Sequence, residues 1–226
     1  MSEDDGTQGH RQRLRARFVN GGERSVADYE LLEMVLFNAI PRRDTKAIAK
    51  ALLDQFKSLS GVLTAPPERL SRVAGVGDAA IAAIKVVESA AHRLAREEMQ
   101  QGTVLSNWQS LIKYLRASMA HLKREQFRIL YLDSRNAVIA DEVQNEGTLD
   151  HTSVYPREVV ARALDFGAAS IIMAHNHPSG DPTPSRADIA MTRQVQTAAQ
   201  SLGITLHDHL IVGRAGHASF RQLGLL

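Results

Sequence analysis

SIIMAHNHPSGDPTPSRAD, residues 170–188, is the stretch on which the reading of the second half of the chain turns. Its opening, SIIMAH, is a short apolar run, the mark of a strand buried on both faces. His175 and His177 stand two apart. In extended chain their side chains leave the same face, so both imidazoles can reach one ion. The next residues, PSGDPTP, carry three prolines and a glycine and form a stiff, sharply turned loop. Ser185 then opens a helix, and Asp188 lies three residues on, where the loop can fold the first turn back onto the histidines. Two imidazole nitrogens and one carboxylate oxygen make a common catalytic zinc set that leaves a fourth position to water. Fe, Mn, Co or Ni also suit these donors. The same Ser-x-x-Asp spacing is an ordinary helix start, with Ser185 as cap and Asp188 at the positive end of the helix dipole. At this level both readings stand.

Outward from this stretch the pattern is that of an α/β unit. FRILYLD, SRN and AVIADEVQN read as a β-hairpin over residues 127–145. A helix is expected from Thr152 to Phe166, with Pro156 near its first turn. Another is expected from Ser185 to Leu202, and ITLHDHLIV is a further strand. His207 and His209 form a second His-x-His, expected on one strand face with Asp208 on the other. With no further ligand in view for a separate ion, a structural or supporting role is the expectation. Arg157 is either a substrate contact or a surface residue at a helix start.

The first half is helical. DYELLEMVLFNAI carries Leu31, Leu32, Val35 and Leu36 as a stripe, with Asp28 as N-cap and Pro41 as stop. DTKAIAKALLDQF has Asp44 or Thr45 as cap and Ile48, Ala51, Leu52 and Phe56 on one face. Residues 78–99 form a long Ala-rich helix. QQGTVLSN breaks the pattern, so the boundary is set near Gly102: residues 1–101 a small all-α domain, 102–226 an α/β domain. Ser106 or Asn107 caps one more helix, to about His121. LSRVAGVGDAAIAAIKV resembles a helix-hairpin-helix whose Gly75 and Gly77 permit a tight turn. Backbone N–H groups there can hold a phosphate, which implies weak nucleic-acid binding. GVGDAA also echoes a dinucleotide fingerprint with Glu97 downstream, but no strand precedes it.

Charge adds little to that expectation. Lys and Arg total 27 against 25 Asp and Glu, evenly spread, without the basic excess of an electrostatic nucleic-acid binder. Arg11, Arg13, Arg15 and Arg17 read as a solvated helix face. There is no cysteine, so a metal must be held by histidine and carboxylate. MSEDDGTQGH lacks the apolar core of a signal peptide, and no apolar run reaches the ~18 residues of a membrane span. The expectation is a cytoplasmic protein. No G-x-S-x-G, P-loop or H-E-x-x-H is present, which removes the serine-hydrolase, NTPase and zincin readings.

His-x-His, seven residues, Ser, two residues, Asp is the JAMM pattern, and HNHPSGDPTPS resembles its RadC form. GTLDHTSVYPREVV before it and LHDHLIVG after it resemble the same family. The likeness covers about residues 102–226, and the helical half is also similar to the family's. The resemblance implies a JAMM/MPN, cytidine-deaminase-like α/β domain preceded by a helical one. It implies one Zn2+ per chain on His175, His177 and Asp188, Ser185 helping to stabilise an oxyanion, and hydrolysis of a peptide or isopeptide bond in a protein or peptide substrate. A general base is also needed. In JAMM proteins that glutamate sits where a helix passes into the first core strand. Glu125, directly before QFRILYLD, occupies this junction; Glu142 and Glu146 on the second hairpin strand are the alternatives. Phosphodiester hydrolysis stays open. A DNA-associated accessory protein with a structural metal site is the other class of function.

Overall fold

The computed structural model describes residues 3–104, 106–146 and 154–226, and the chain divides into two compact units, Met1–Ala91 and His92–Leu226. The first is all-helical: α1 (Glu3–Gly21), a 3-10 turn (Glu23–Ser25), α2 (Asp28–Leu36), α3 (Lys46–Phe56), α4 (Leu59–Leu63), α5 (Pro67–Leu70) and the early turns of α6 (Asp78–Gln100). Leu32, Leu36, Ile48, Ala49, Leu52, Leu70 and Ile84 build its core. The α2 stripe is as the spacing predicts, but the helix starts one residue differently. Ala27 is the N-cap, its N–H donating 3.0 Å to Glu30 Oε2, and Asp28 is already helical. Thr45 precedes α3 without a side-chain cap, and Asp44 Oδ1 accepts from Lys46 N instead at 2.8 Å. Ala49, rather than the exposed Ala51, completes the buried face of α3.

The arginines of α1 do not form a uniformly solvated face. Arg11 is 8 % exposed. Its guanidinium donates to the carbonyls of Phe37, Ile40, Pro41 and Arg43 at 2.7–3.3 Å. These are acceptors left open where α2 ends, and a side chain closes them in place of water. Of the two hairpin glycines, Gly75 is required by its backbone, with φ +87 and Ile48 Cδ1 2.9 Å from where a Cβ would sit. Gly77 has open space at that position.

The second unit takes the last turns of α6, then α7 (Trp108–Met119), β1 (Gln126–Leu132), β2 (Val138–Glu146), α8 (Pro156–Asp165), β3 (Ser170–Asn176), α9 (Arg186–Gln200), β4 (Thr205–Val212) and β5 (His217–Ser219). The division between units falls inside α6, upstream of the Gly102 break, because Ala95 and Met99 already pack into the core of this second unit. The sheet order is β2-β1-β3-β4-β5. β3 and β4 are parallel and joined through α9; the other neighbours are antiparallel. In the β1–β2 turn, Asp133 Oδ1 accepts from the N–H groups of Arg135 and Ala137 at 2.8 and 2.9 Å. The expected start at Thr152 lies outside the described residues, as does the GTLDHTS part of its motif; the described helix begins at Pro156.

Helices cover both sheet faces, which is why Ile171 to Ala174 of β3 form an unbroken apolar run rather than alternating. On one face Leu111 and Leu115 of α7 pack over Leu130, Leu132, Ile172 and Ala174. On the other, Val159 and Ala163 of α8 and Val195 and Ala199 of α9 pack over Phe127, Ile129, Ile171 and Met173. Period two along β3 then sends His175, after Ile171 and Met173, to the α8–α9 face. Every residue of β3 is buried. Among the described residues no helix is long and apolar enough to cross a membrane.

Candidate metal centre

The C-terminal end of β3 delivers the histidines. His175 is the penultimate strand residue, and His177 follows the strand with its N–H bonded to the Val212 carbonyl at 3.0 Å. The loop from Pro178 to Pro184 is held against the β4–β5 turn. Arg214 donates to Ser179 O at 2.7 Å. A Cβ on Gly213 would stand 2.2 Å from Gly180 O. Only glycine at 213 lets these two backbones meet, and this contact sets where the chain re-enters α9.

At that point the helix start and the proposed ligand are the same structure. Ser185 caps α9, its Oγ accepting from Asp188 N at 3.1 Å, while Ser185 N donates to Asp188 Oδ2 at 2.7 Å. This reciprocal box fixes the carboxylate rotamer. The fixed carboxylate faces the imidazoles: Oδ1 lies 3.4 Å from His175 Nε2, and Oδ2 lies 3.5 Å from His177 Nε2. The two Nε2 atoms are 3.0 Å apart. His175, His177 and Asp188 thus each offer one ligand atom within 4.8 Å of the others. Donors about 2 Å from a common centre at a tetrahedral angle are separated by roughly 3.3 Å, so this set fits a zinc ion. The chemistry of the donors agrees. Asp181 O can only accept, so His177 Nδ1, 2.8 Å away, carries the hydrogen there. In the neutral ring Nε2 is then a lone pair aimed at the cluster.

Electrostatics separate the two histidines. Burial pushes the His175 imidazole down to about 4, against the pull of Asp188. Such a ring stays neutral, as a ligand must. Asp188 raises the half-buried His177 above its ordinary value, burial opposes this, and the Glu125 charge adds to the rise. Burial alone would raise Asp188, but the His177 hydrogen bond, the His175 charge and the Ser185 bonds outweigh it and hold the carboxyl well below the usual range.

The candidate bases lie in different surroundings. Glu125 is half-buried immediately before β1. Phe127 pairs with His175 across the β1–β3 ladder, so continuation of that register brings Glu125 opposite His177. Asn176 holds this approach: its Oδ1 accepts from Gln126 N at 2.9 Å and its Nδ2 donates to Arg124 O at 3.1 Å, one bond on each side of Glu125. Glu142 is instead paired with Arg162 of α8, with Arg162 Nε 3.0 Å from Oε2. The Glu146 side chain lies outside what the structure describes. Arg157 is 81 % exposed beside Tyr155 and Glu158, a surface residue at a helix start.

The second His-x-His splits. The β3–β4 register shifts between Ile171 and Ile172, which pair with Leu206 and Asp208, so His207 falls in a bulge. The expected common face for His207 and His209 is lost. His207 Nε2 turns to Asn136 Oδ1 at 2.6 Å, whereas His209 Nε2 reaches His175 Nδ1 at 2.8 Å. Asp208 is buried, accepting from Ser219 Oγ, Arg221 N and His209 N at 2.5–3.0 Å. Sequence reasoning passed over Asn176 and Thr192. Asn176 sits between the two histidines, but its partners lie some fifty residues upstream, and Thr192 carries no local signal beyond one helical turn from Asp188.

Comparison with known proteins agrees over both units. A RadC-like JAB domain family matches residues 105–225, and the UPF0758 N-terminal family matches residues 8–82. A UPF0758 protein of Rhodobacter capsulatus is 56 % identical over 213 residues, covering 94 % of this chain and 100 % of that protein. A UPF0758 protein of Ruegeria pomeroyi is 54 % identical over 217 residues, covering 96 % and 97 %. With an α/β unit of JAB type following a helical one, and with likeness that runs almost end to end, the chain belongs to the UPF0758 family and carries its RadC-like JAB domain.

Proposed function

We propose that this protein is a zinc-dependent hydrolase that cleaves a peptide or isopeptide bond in a protein or peptide substrate. The observation that carries the reading is the convergence of His175 Nε2, His177 Nε2 and the Asp188 carboxylate, each fixed from behind by a hydrogen bond it does not share with the others. A zinc ion held by these three would lower the pKa of water towards ~7 and polarise a carbonyl. The remaining work falls to the protein's own groups. Glu125 beside His177 accepts the proton of the attacking water and returns it to the leaving amine. Ser185 uses its oxygen as an acceptor in the helix cap, which leaves its O–H to donate to the oxygen on which charge develops. Asn176 keeps Glu125 in reach by holding the backbone on both sides of it.

Elemental analysis of protein purified without chelators tests the centre. About one zinc per chain is expected, and none in His175→Ala or Asp188→Ala, with a cooperative melt retained in both. Metal content unchanged in these variants would place the ion elsewhere and remove the reading. The Glu125→Gln protein, which binds without turning over, then serves to trap the substrate for identification by mass spectrometry.

A further inference from the structure

Behind His175 runs a chain of hydrogen bonds that ends on a group able only to accept. Thr192 Oγ1 donates to the Asp188 carbonyl at 2.6 Å. That uses the hydroxyl hydrogen, so towards His209 Nδ1, also at 2.6 Å, the Thr192 oxygen is the acceptor and His209 Nδ1 carries the hydrogen. A neutral imidazole protonated on Nδ1 has its lone pair on Nε2. His209 Nε2 therefore accepts from His175 Nδ1 at 2.8 Å. His175 is left with its hydrogen on Nδ1 and a lone pair on Nε2, the atom that faces His177 and Asp188.

The chain is sealed. Thr192, His175 and His209 are each 0 % exposed. Phe127 stacks on His175 at 5.6 Å, and Phe220 lies 4.6 Å from the His209 ring. Sealed from solvent, these nitrogens have only one another and Thr192 to bond. The chain also closes on itself. Its final acceptor is the backbone of Asp188, so β3, β4 and the first turns of α9 are tied together through His209 and Thr192, neither of which is among the three candidate ligands.

We propose that Thr192 and His209 are positioning residues that fix the tautomer and ring orientation of His175, presenting Nε2 as a lone pair to the centre. The proposal rests on the reading of His175 as a metal ligand, and its test separates the two. The full-length protein, labelled with 15N and stripped of metal at pH 8, gives long-range proton–nitrogen correlations that report each imidazole tautomer. His175 and His209 are both expected as Nδ1–H. Thr192→Val keeps the shape and removes the acceptor. It should lose the single Nδ1–H state at His175 and weaken Zn2+ binding about 10–100-fold, measured against a chromophoric chelator. Thr192→Ser should restore both, and thermal melts of the metal-free proteins report folding separately. A wild-type His175 carrying its hydrogen on Nε2 overturns the proposal whether or not any variant folds. So does a Thr192→Val protein with an unchanged His175 tautomer and a zinc affinity within about twofold of wild type. If the wild type binds no zinc yet shows both Nδ1–H tautomers, the relay stands and the metal reading falls.

Discussion

Both units bury polar side chains, and they do so to different ends. In the helical unit Arg11 spreads its donors over four backbone carbonyls, and His10 Nε2 meets the fully buried Glu33 at 2.9 Å. The Arg11 bonds close backbone carbonyls beyond the end of α2, and the His10–Glu33 pair joins α1 to α2. In the α/β unit His175, His177 and Asp188 turn their acceptor atoms towards one point, while every other atom of these side chains that can bond is engaged behind. Buried polarity that satisfies its surroundings is architecture. Acceptors facing acceptors at 3.0–3.5 Å are tolerable only with a proton or a metal cation among them. The comparison thus separates a dispersed polar network from a convergent one without reference to activity.

The sharpest way to break that distinction is at Glu125, which stands beside the cluster without belonging to it. Glu125→Gln should keep about one zinc per chain and lose turnover of the trapped substrate by roughly 10²–10⁴. Loss of zinc in this variant would make Glu125 a ligand, and an unchanged rate would leave it a bystander.

Arg11 tests the other side. Arg11→Met keeps the aliphatic stem over Phe37 and strands the four carbonyls. Leaving buried acceptors without partners should cost roughly 3 kcal/mol, read by urea denaturation, with zinc content unchanged. A loss of zinc with no loss of stability would show that the helical unit's network is not merely architectural.

A third test uses pH. His175 has a folded value of about 4, below the ordinary 6.5. Above pH 6.5 the ring is neutral in both folded and unfolded chain and nothing is lost. As pH falls below 6.5 the unfolded chain takes up the proton and the folded one does not, so stability declines until about pH 4. Alone, His175 contributes a loss on the order of 3 kcal/mol across that window, so the metal-free wild type should decline more steeply than His175→Phe. His177 runs the opposite way. Its raised value contributes stability below pH 6.5 that disappears as pH rises through it. A decline from pH 7 to 4.5 that is the same in His175→Phe as in the wild type would contradict the buried, neutral His175.

How much of this was legible in sequence follows from the reach of each signal. SIIMAHNHPSGDPTPSRAD carried the strand, the loop, the helix start and the candidate ligands because all lie within nineteen contiguous positions. The two readings of Ser185 and Asp188, cap and ligand, are compatible: the geometry that caps α9 also turns the Asp188 carboxylate to the histidines. The β1–β2 hairpin and β4 showed in their apolar runs. The three-residue β5 did not, since so short a strand has no period of its own. The bulge at His207 is invisible because it is a property of pairing rather than of the strand. Arg11 read as solvated because its four acceptors lie more than twenty residues away in sequence. The domain boundary moved because a helix can cross from one core to another without any break in its pattern.

The smallest effect is expected at Glu142, and its smallness is informative. Glu142 shares the α8–α9 side of the sheet with Ile129, its cross-strand partner, and so with His175 two residues beyond Met173. By face alone it could serve as the base. Its carboxylate, however, is occupied by Arg162, whose guanidinium also reaches Asp165 at 3.1 Å. To accept a proton from water it would have to leave that partner. Arg162 is 41 % exposed, so solvent screens the pair, and removing it should cost little. Glu142→Gln should therefore keep zinc, keep the rate of the wild type and shift the urea midpoint slightly. A Glu142→Gln protein that retains zinc but loses turnover, beside a Glu125→Gln protein that still works, would reverse the assignment of the base. It would mean that the ion pair opens during the reaction, and that the half-buried glutamate before β1 serves only the charge balance of His177.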